Sequence, residues 1–422
     1  MKILWFSLSP CGSLRRDKKQ RVIQGWMISL EDELKKHSEI ELSVAFFSNI
    51  KEEPYEYDGV RYYPMYQNRA NTKIGRVLER YKSMEAVDKK MLSVMIDVVK
   101  DVRPDLIHIH GTEERFGLIQ NEVNDIPIVF SIQGLIAPYS SKYFSGFTRE
   151  ELMHNETFFK RLRGVGINAE YRRSIYKAQR EIKILSDAKY VFGRTQWDCN
   201  ICRLFNPAVK YFTVNEILRE EFYKRSWKKQ SYGIPFTILS TLSPGPIYKG
   251  FETLLETAYL LKRFSGISFK WYVAGYTGDE PLVKIAERRF RVRSEDCNLV
   301  FCGLVNADKL SSLLQLSDIF CQVSHIENSP NSLCEAMLMG VPVVATNAGG
   351  TSSMLRHFGL LVQDGDPYAM GGAILRIHTD FESSKQLALQ GRELALERHA
   401  PGNVVKELLL GYDAIIKDFC HD

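Results

Sequence analysis

The chain has 422 residues, of which 45% are hydrophobic and 25% are charged, and its formal net charge is +5. This composition excludes a disordered or low-complexity chain, and the length favours two domains. The net charge is too small to indicate a nucleic-acid partner by itself. No apolar run approaches the roughly 20 residues of a membrane-spanning helix, and MKILWFSLSP is too short for a signal peptide, so we expect a cytoplasmic protein.

Short apolar segments alternate with amphipathic segments in the first half of the chain. In order, the apolar segments are MKILWFS, ELSVAFFS, PDLIHIH, IPIVFSIQG, AKYVFGRT and VKYFTV. Each is apolar on both faces, which is typical of strands buried in a parallel sheet. The alternation predicts a doubly wound α/β domain over residues 1–212.

A second set of apolar segments follows the polar stretch EILREEFYKRSWKKQSYGIP. Its members are FTILSTL, SFKWYVAG, NLVFCGL, DIFCQVS, VPVVAT and GLLVQ, with amphipathic stretches such as FETLLETAYLLKRF between them. We predict a second doubly wound domain over residues 213–400 and a final amphipathic helix over residues 401–422. Two such domains in tandem create a cleft, and ligands bind at the carboxyl ends of the strands in such sheets.

The stretch HIENSPNSLCEAMLMGVPVVATNAGG follows the predicted strand DIFCQVS. Its first acid, Glu327, lies on the loop, and Asn331 or Ser332 is a good N-cap for the helix LCEAMLM. The free N–H groups of a helix start favour a phosphate, and Glu335 in the first turn can accept hydrogen bonds from hydroxyl groups. The alternative is a solvated loop carboxylate together with a carboxylate that only complements the helix dipole.

This stretch resembles the signature of the retaining glycosyltransferases of family 4, also called group 1, which have the GT-B fold. From Glu327 to Gly350 the chain has their loop acid, Glu-Ala-Met, Gly-x-Pro-Val-Val-Ala-Thr and Gly-Gly in order. The resemblance implies two Rossmann-like domains that face a cleft, with a C-terminal helix that crosses back onto the first. It also implies that Glu335 binds the ribose of a nucleotide-sugar and that Glu327 lies beside the donor sugar. The residues implied to hold the diphosphate are Asn331, Ser332 and Leu333.

The segment IYKGFETLLETAYLLK matches the Lys-Gly that begins the first helix of the family's second domain. Lys249 is therefore the candidate cation that stabilises the leaving diphosphate without a metal, although a lone Lys-Gly also fits a surface lysine. Many family members carry an arginine several residues earlier, where this chain has STLSPGP. We expect Ser240, Thr241 or Ser243 with backbone N–H groups, or a distant arginine, to take that role. Gly303 completes the predicted donor contacts.

The candidates in the first domain follow its predicted strands. Gly25 in QGWMISLEDELKK matches a small-residue turn of the family and would let the backbone approach the donor or the acceptor closely. His108 is interpreted as a core histidine, and His110 as a contact to the acceptor or the donor. Gln133 stands where family members often have a histidine, and it cannot exchange a proton near neutral pH. Arg194 either meets a phosphate or forms a structural ion pair.

We expect neither a metal nor a cofactor. Cys199 and Cys202 form a Cys-x-x-Cys pair without the second pair that a zinc site needs, and eight scattered cysteines suit a reducing cytosol. The segment QDGDP resembles the Asp-x-Asp motif of metal-dependent sugar transferases of another fold. Its glycine predicts a turn, and Asp366 before Pro367 predicts a helix N-cap.

Residues 160–183 carry eight lysines or arginines and only two acids, with aromatic residues nearby. Such a segment can rest on an anionic membrane, bind nucleic acid or form a solvated face. We favour peripheral contact of residues 158–183 with the inner membrane surface, because many relatives use lipid-linked acceptors. A plain solvated face is the main alternative, and we expect no nucleic-acid partner.

Together these features predict a retaining, metal-independent hexosyltransferase that moves a sugar from a nucleotide-sugar to a hydroxyl of a lipid-linked glycan. The donor's own phosphate oxygens would deprotonate the acceptor. Family habit points to bacterial capsule, exopolysaccharide or lipopolysaccharide synthesis. A nucleotide-sugar epimerase of the same fold stays open, as does a non-catalytic glycan-binding subunit, which the missing arginine and Gln133 would suit. A dinucleotide dehydrogenase is disfavoured because no Gly-x-Gly-x-x-Gly follows a predicted strand.

Overall fold

The structure, a computed structural model, describes residues 1–16 and 25–421. The chain forms two compact units. Unit 1 comprises Met1–Ser140, Thr157–Ile217 and Ala400–Asp422, and unit 2 comprises Ser141–Glu156 and Leu218–His399. Each unit is built around one sheet, so the predicted α/β class with two Rossmann-like units is confirmed.

Within the described residues, eight strands form the sheet of unit 1 in the order β3-β4-β2-β1-β5-β6-β7-β8. Neighbouring strands are parallel except for the β3–β4 pair. The strands are β1 (Lys2–Ser7), β2 (Glu41–Ser48), β3 (Tyr55–Tyr57), β4 (Val60–Tyr66), β5 (Leu106–His110), β6 (Ile128–Ser131), β7 (Tyr190–Gly193) and β8 (Lys210–Thr213).

The β3–β4 hairpin is a feature that the sequence analysis missed. Tyr57 pairs with Val60 in antiparallel register, and Asp58 and Gly59 between them have φ values of +52° and +76°. Two consecutive positive φ values are typical of a type I′ turn, for which Asp-Gly is a strong local signal. The signal was present in YEYDGVRYY, and β4 adds a strand to the parallel sheet beside β2.

All six strand segments predicted for the second half are strands of unit 2. Their order is β11-β10-β9-β12-β13-β14, and every neighbouring pair is parallel. The strand order reverses between β9 and β12, so the crevice for a ligand lies at the carboxyl ends of these two strands. The strands are β9 (Phe236–Thr241), β10 (Phe269–Ala274), β11 (Leu299–Gly303), β12 (Ile319–Gln322), β13 (Val343–Thr346) and β14 (Leu360–Val362).

Helices connect the strands and cover the sheets. Within the described part of the chain, none of them combines the length and the apolar character that crossing a bilayer requires. The helices are α1 (Trp26–Leu34), α2 (Lys73–Glu79), α3 (Met84–Val102), α4 (Ile136–Ser141), α5 (Arg149–His154), α6 (Phe158–Leu162), α7 (Ile167–Asp187), α8 (Gln196–Phe205), α9 (Glu220–Lys224), α10 (Phe251–Leu260), α11 (Pro281–Phe290), α12 (Ala307–Leu316), α13 (Asn331–Met339), α14 (Thr351–Leu355), α15 (Pro367–Thr379), α16 (Phe381–Arg398) and α17 (Pro401–His421).

Helix α17 completes the core of unit 1. Its apolar side chains Val404 and Leu408 are fully buried in one cluster with residues of β1 and α1. The Trp5 indole Nε1 donates a hydrogen bond of 3.1 Å to the buried hydroxyl of Tyr412. The C-terminal helix therefore belongs to the first unit, which is the arrangement that the resemblance implied.

Residues 141–156 pack on unit 2, although the sequence analysis assigned them to the N-terminal domain. Arg289 Nε donates to the carboxylate of Glu151 at 2.8 Å, and the same guanidinium lies 4.7 Å from the centre of the Phe147 ring. The Arg289 contact lowers the pKa of Glu151 to about 2. Lys142 adds an ion pair of 3.1 Å with Asp364. Arg289 and Glu151 are 138 positions apart in the sequence, so no local sequence pattern predicts their contact.

Candidate active site

Lys249 lies where the chain passes from β9 to α10. It ends a 3-10 turn, Ile247–Lys249, which is followed by Gly250 with a φ of +75°. A Cβ on Gly250 would lie 2.0 Å from the carbonyl oxygen of Val323, so only glycine fits this close approach. Glycine at position 250 is therefore a steric requirement, and the turn brings the Lys249 ammonium next to the loop after β12.

Glu327 is held on that loop by two side chains. Lys249 Nζ donates to Glu327 Oε1 at 2.5 Å, and Ser324 Oγ donates to the same oxygen at 2.8 Å. The side chains of Lys249 and Glu327 are 20% and 10% exposed. The structure thus brings together the two residues that the sequence analysis named as catalytic, at the carboxyl ends of β9 and β12.

The Gly-Gly turn after β13 supports the backbone of Glu327. The Gly350 N–H donates to the Glu327 carbonyl at 2.9 Å. Gly349 has a φ of +57°, and a Cβ there would lie 2.0 Å from that same carbonyl oxygen. Glycine is therefore needed at position 349, because β13 turns directly against the loop that carries the carboxylate, whereas Gly350 contributes its backbone N–H.

Helix α13 begins at Asn331, which is earlier than predicted, because Asn331 or Ser332 was expected to be the cap that precedes the helix. Pro330 occupies the cap position, Asn331 and Ser332 are the first helical residues, and no side chain caps the helix. Glu335 consequently lies in the second turn rather than the first. Leu333 is fully buried in the core of unit 2, and its N–H donates to the Pro330 carbonyl at 3.0 Å, so it has little to offer a ligand.

The start of α13 nevertheless offers groups to an anion. The N–H groups of Asn331 and Ser332 precede the first intrahelical hydrogen bond of the helix. Among the described residues the buried Oδ1 of Asn331 has no hydrogen-bond partner. The two N–H groups can donate to an anion, whereas the Asn331 Oδ1 is an acceptor and can bind only a donor group.

Glu335 is paired with an arginine that the sequence analysis did not identify. Arg219 Nε and Nη2 donate to the two carboxylate oxygens of Glu335 at 2.7 and 2.8 Å. Glu335 is only 2% exposed, whereas the Arg219 side chain is 20% exposed. Arg219 lies in the polar stretch between the two strand sets, and the pairing spans 116 positions.

His325 is a second residue of the site that the sequence analysis missed. Its Nε2 lies 2.5 Å from Glu252 Oε1, and its Nδ1 lies 3.5 Å from Asp364 Oδ2. Burial lowers the pKa of His325, but the two carboxylates outweigh burial and raise the pKa above its usual value. The His325 N–H donates to the carbonyl of Tyr248 at 2.8 Å, which ties the Lys249 turn to the Glu327 loop. The sequence signal for His325 was its position two residues before Glu327 on the predicted loop.

The remaining predicted donor residues have different surroundings. Ser240 Oγ donates to a carbonyl of β12 at 2.6 Å and accepts from the Trp271 indole at 3.0 Å, so it is a core group and not a phosphate ligand. Ser243 is exposed after β9, and Gly303 ends β11 with a φ of +64°. In unit 1, Gly25 precedes α1, and a Cβ there would meet nothing within 4 Å. Sterics therefore do not require glycine at position 25.

The two histidines of β5 are both buried. His108 is hydrogen-bonded to the hydroxyls of Tyr412 and Ser131, each at 2.6 Å, so it is the core histidine that was expected. His110 is 1% exposed, and its ring centre lies 4.6 Å from that of Trp5. Both of its ring nitrogens lack a hydrogen-bond partner among the described residues, and burial holds its pKa well below the usual value. His110 is therefore a neutral ring enclosed in unit 1.

Arg194 and Gln133 follow β7 and β6 of unit 1. Arg194 is 7% exposed, its Nε lies 3.1 Å from Glu216 Oε2, and its guanidinium lies 4.5 Å from the centre of the Trp26 ring. This is the structural ion pair that was one of the two alternatives for Arg194. Gln133 is half-buried two residues beyond the end of β6.

Two motifs that were interpreted as structural have structural surroundings. Asp366 accepts a hydrogen bond of 2.9 Å from the Ala369 N–H and caps α15, in which Pro367 is the first residue. Cys199 and Cys202 are both buried on α8, and burial raises the pKa of each thiol. The aspartate is thus engaged as a helix cap, and the two thiols stay protonated near neutral pH.

Solved structures of sugar-transferring proteins share this fold over almost its whole length. Sucrose-phosphate synthase of Thermosynechococcus elongatus matches with a TM-score of 0.72 and 14% identity, covering 99% of both chains. HepE of Anabaena, solved with UDP and glucose, matches with a TM-score of 0.63 and 16% identity, covering 97% of this chain and 98% of HepE. At such identities the likeness shows the fold alone.

Residues 236–380, from β9 through α15, match the family described as Glycosyl transferases group 1. This part of the chain is a group 1 glycosyltransferase domain, and the whole chain has the GT-B fold. The matched span contains Lys249, Glu327 and Glu335. The chain is also 24% identical over 340 residues to the putative teichuronic acid biosynthesis glycosyltransferase TuaC of Bacillus subtilis, an alignment that covers 78% of this chain and 76% of TuaC.

Proposed function

We propose that this group 1 glycosyltransferase is a retaining enzyme of surface-polysaccharide synthesis. It transfers a sugar from a nucleoside diphosphate-sugar to a hydroxyl group of a glycan. The observation that carries the proposal is the contact between Lys249 and Glu327 beside the open start of α13. The relatives agree with it, since TuaC is named for teichuronic acid biosynthesis and HepE was solved with UDP and glucose.

The donor diphosphate binds between Lys249 and the start of α13. The N–H groups of Asn331 and Ser332 donate to its oxygens, and the helix dipole adds a favourable field. As the bond between the sugar carbon C1 and the phosphate oxygen breaks, the Lys249 ammonium stabilises the charge that grows on the leaving diphosphate. We therefore assign charge neutralisation to a side chain and a helix, and not to a metal.

The two carboxylates of the signature orient the rest of the donor. Ser324 still holds Glu327 when the Lys249 ammonium turns toward the diphosphate, so the carboxylate keeps its place beside the donor sugar. Arg219 holds both oxygens of Glu335, and each oxygen keeps a lone pair that can accept a hydrogen bond from a ribose hydroxyl.

The proton of the acceptor goes to the donor itself. The acceptor hydroxyl attacks C1 from the face that the diphosphate leaves, and its proton passes to the departing phosphate oxygen. One C–O bond forms as the other breaks on the same face, so the configuration at C1 is retained. This scheme requires no enzymic base near His110 or Gln133, which agrees with the burial of His110.

The acceptor in this proposal is a lipid-linked glycan reached at a membrane surface. Helix α6 exposes three large apolar side chains, with Phe158, Phe159 and Leu162 at 70%, 66% and 60% exposure. Lys160 and Arg161 lie on the same helix. An apolar patch among cations is suited to peripheral contact with an anionic bilayer.

A transfer assay with labelled nucleotide-sugars tests the proposal. Lys249→Gln and Glu327→Gln should each lower the transfer rate about a hundredfold or more, because each removes an interaction made at the reacting centre. Lys309→Gln on exposed α12 is the matched control and should leave the rate unchanged. NMR of the product should show the anomeric configuration of the donor. An inverted product, or full activity in both site variants, would overturn the mechanism, and conversion of the donor without acceptor would indicate an epimerase.

A further inference from the structure

Unit 1 contains a cavity of about 950 Å³ to which the proposed function assigns no role. Its walls are the loop after β4, helices α2 and α3, Arg115, and the loop and first turns around the start of α7. All of these segments belong to unit 1. We call this space the basic cavity, because cations dominate its lining.

The lining is strongly unbalanced in charge. Only two carboxylates, Glu79 and Glu170, line the cavity. The cations that line it are Arg69, Arg76, Arg80, Lys82, Lys90, Arg115 and Arg173. Seven cations around one cavity produce a positive potential that would attract an anionic ligand.

Few of these cations have a partner of opposite charge. Arg115 lies 3.1 Å from Asp88, Arg173 lies 2.5 Å from Glu170, and the carboxylate of Glu79 accepts a hydrogen bond of 2.8 Å from a backbone N–H. Arg80 donates a hydrogen bond to a backbone carbonyl, and within the described ranges no ion pair or side-chain hydrogen bond is formed by the other four cations, Arg69, Arg76, Lys82 and Lys90.

The cations of this region also act on one another. Burial lowers the pKa of Arg115, and the guanidinium groups of Arg180 and Arg69 act in the same direction, whereas Asp88 opposes them. An anion in the cavity would offset this repulsion. Guanidinium groups favour a phosphoryl group in particular, because their fork of N–H donors matches its oxygens.

An apolar surface lies beside the basic cavity. Tyr81 donates a hydrogen bond of 3.0 Å to the Leu162 carbonyl, and Arg80 donates one of 3.2 Å to the Arg163 carbonyl, so the segment of α2 is joined to α6. Six large apolar side chains on these two segments are each at least 60% exposed: Ile74, Leu78, Tyr81, Phe158, Phe159 and Leu162. We call this surface the α2–α6 rim.

We propose that the basic cavity binds a phosphoryl group of the acceptor, and that the α2–α6 rim contacts the apolar part to which this group is attached. The volume is at the upper end of the ~300–1,000 Å³ of small-molecule sites, which leaves room for a diphosphate and the first sugar. Assigning the phosphoryl group to the acceptor rests on the proposed function, whereas binding of the group itself does not.

The test removes cavity charge from two helices and uses a matched control on the same helices. The cavity variant is Arg76→Gln with Lys90→Gln. The control is Lys73→Gln with Lys89→Gln, which removes the same charge from α2 and α3 at exposed positions outside the cavity lining. Both pairs are made in the Lys249→Gln background, so that a phosphate probe does not report the candidate donor site. Scanning calorimetry should show the same unfolding temperature for both pairs.

Two probes distinguish the source of the phosphoryl group. Titration calorimetry with inorganic pyrophosphate should show binding that weakens about tenfold or more in the cavity variant and stays nearly constant in the control. The protein with an intact cavity should co-sediment with phosphatidylcholine vesicles only when they contain phosphatidic acid. The cavity variant should not co-sediment with either kind of vesicle. Pyrophosphate binding without vesicle binding would keep the site but assign it to a soluble ligand.

The proposal fails when neither probe binds, or when both variant pairs weaken binding equally, since the charge effect would then be unspecific. The donor site is tested separately. The cavity substitutions are made in the protein that keeps Lys249, and its rate of donor hydrolysis is measured. Unchanged hydrolysis with lost pyrophosphate binding supports two independent sites. An inactive wild-type enzyme that still binds pyrophosphate through the cavity cations would contradict the proposed function alone.

Discussion

The ion pair between Arg219 and Glu335 should dominate the local stability of unit 2. Both carboxylate oxygens of Glu335 receive hydrogen bonds from Arg219, and Glu335 is 2% exposed. Arg219→Ala removes both guanidinium hydrogen bonds from that buried carboxylate, and breaking a buried ion pair typically costs about 3–5 kcal/mol. Because the Arg219 side chain is 20% exposed, water can reach the gap, and we expect the lower end, about 3 kcal/mol.

Scanning calorimetry measures this loss directly. For a unit of this size, 1 kcal/mol corresponds to about 2–4 °C, so Arg219→Ala should lower the unfolding temperature of unit 2 by about 6–12 °C. Arg225→Ala is the matched control. It removes an arginine next to α9 that pairs with the exposed carboxylate of Asp308, and such a surface pair contributes about 0–1 kcal/mol.

A double variant distinguishes the loss of the Arg219 hydrogen bonds from the cost of the buried negative charge on Glu335. Arg219→Ala with Glu335→Gln also removes the buried negative charge that has lost its arginine, so it should be more stable than Arg219→Ala alone. Equal losses in Arg219→Ala and Arg225→Ala would refute the reasoning. A double variant that is less stable than Arg219→Ala would also refute it.

Three other variants probe separate features. Gly349→Ala places a Cβ 2.0 Å from the Glu327 carbonyl at a φ of +57°, so it should cost about 2 kcal/mol or more and slow transfer, whereas Gly372→Ala in the open interior of α15 should stabilise by about 0.5–1 kcal/mol; urea unfolding compares them. Because the folded pKa of His325 is raised above 6.5, its stabilising contribution is complete below that pH and disappears as the pH rises through the folded pKa. Urea unfolding of His325→Asn should therefore lack this decline, and parallel pH curves for the two proteins would contradict the assignment. Asp366→Ala should cost about 1 kcal/mol through the lost cap and leave transfer insensitive to EDTA, and a new metal requirement would show that the aspartate does more.

The strands were predictable because buried parallel strands are apolar on both faces. That property is local, so the six strands of unit 2 are visible in the sequence without any knowledge of their partners. The signature loop was predictable for a related reason, since Gly250 and Gly349 occupy positions where a Cβ would collide with a neighbouring carbonyl oxygen. The β3–β4 hairpin was also within reach of the sequence, and its Asp-Gly turn was overlooked.

The errors concern pairings between distant residues and the exact start of a helix. Arg219 and Glu335 are 116 positions apart, and Arg289 and Glu151 are 138 apart, so no local period connects them. The start of α13 was misplaced because capping preference favours asparagine, whereas Pro330 takes the cap position and leaves the Asn331 side chain inside the first turn. In each case tertiary packing determined the pairing or the helix start, and a short segment of sequence does not reveal which distant residues pack against it.

Donor binding tests the central claim most directly. The unfolding temperature of the wild type and of Lys249→Gln should be measured with UDP-, GDP-, ADP- and CMP-sugars, with and without EDTA. We predict that one nucleotide class raises the wild-type value by a few degrees, that EDTA leaves this shift unchanged, and that Lys249→Gln loses it. Absence of a shift with every donor, or a shift that survives Lys249→Gln, would contradict a diphosphate site at Lys249 and the start of α13.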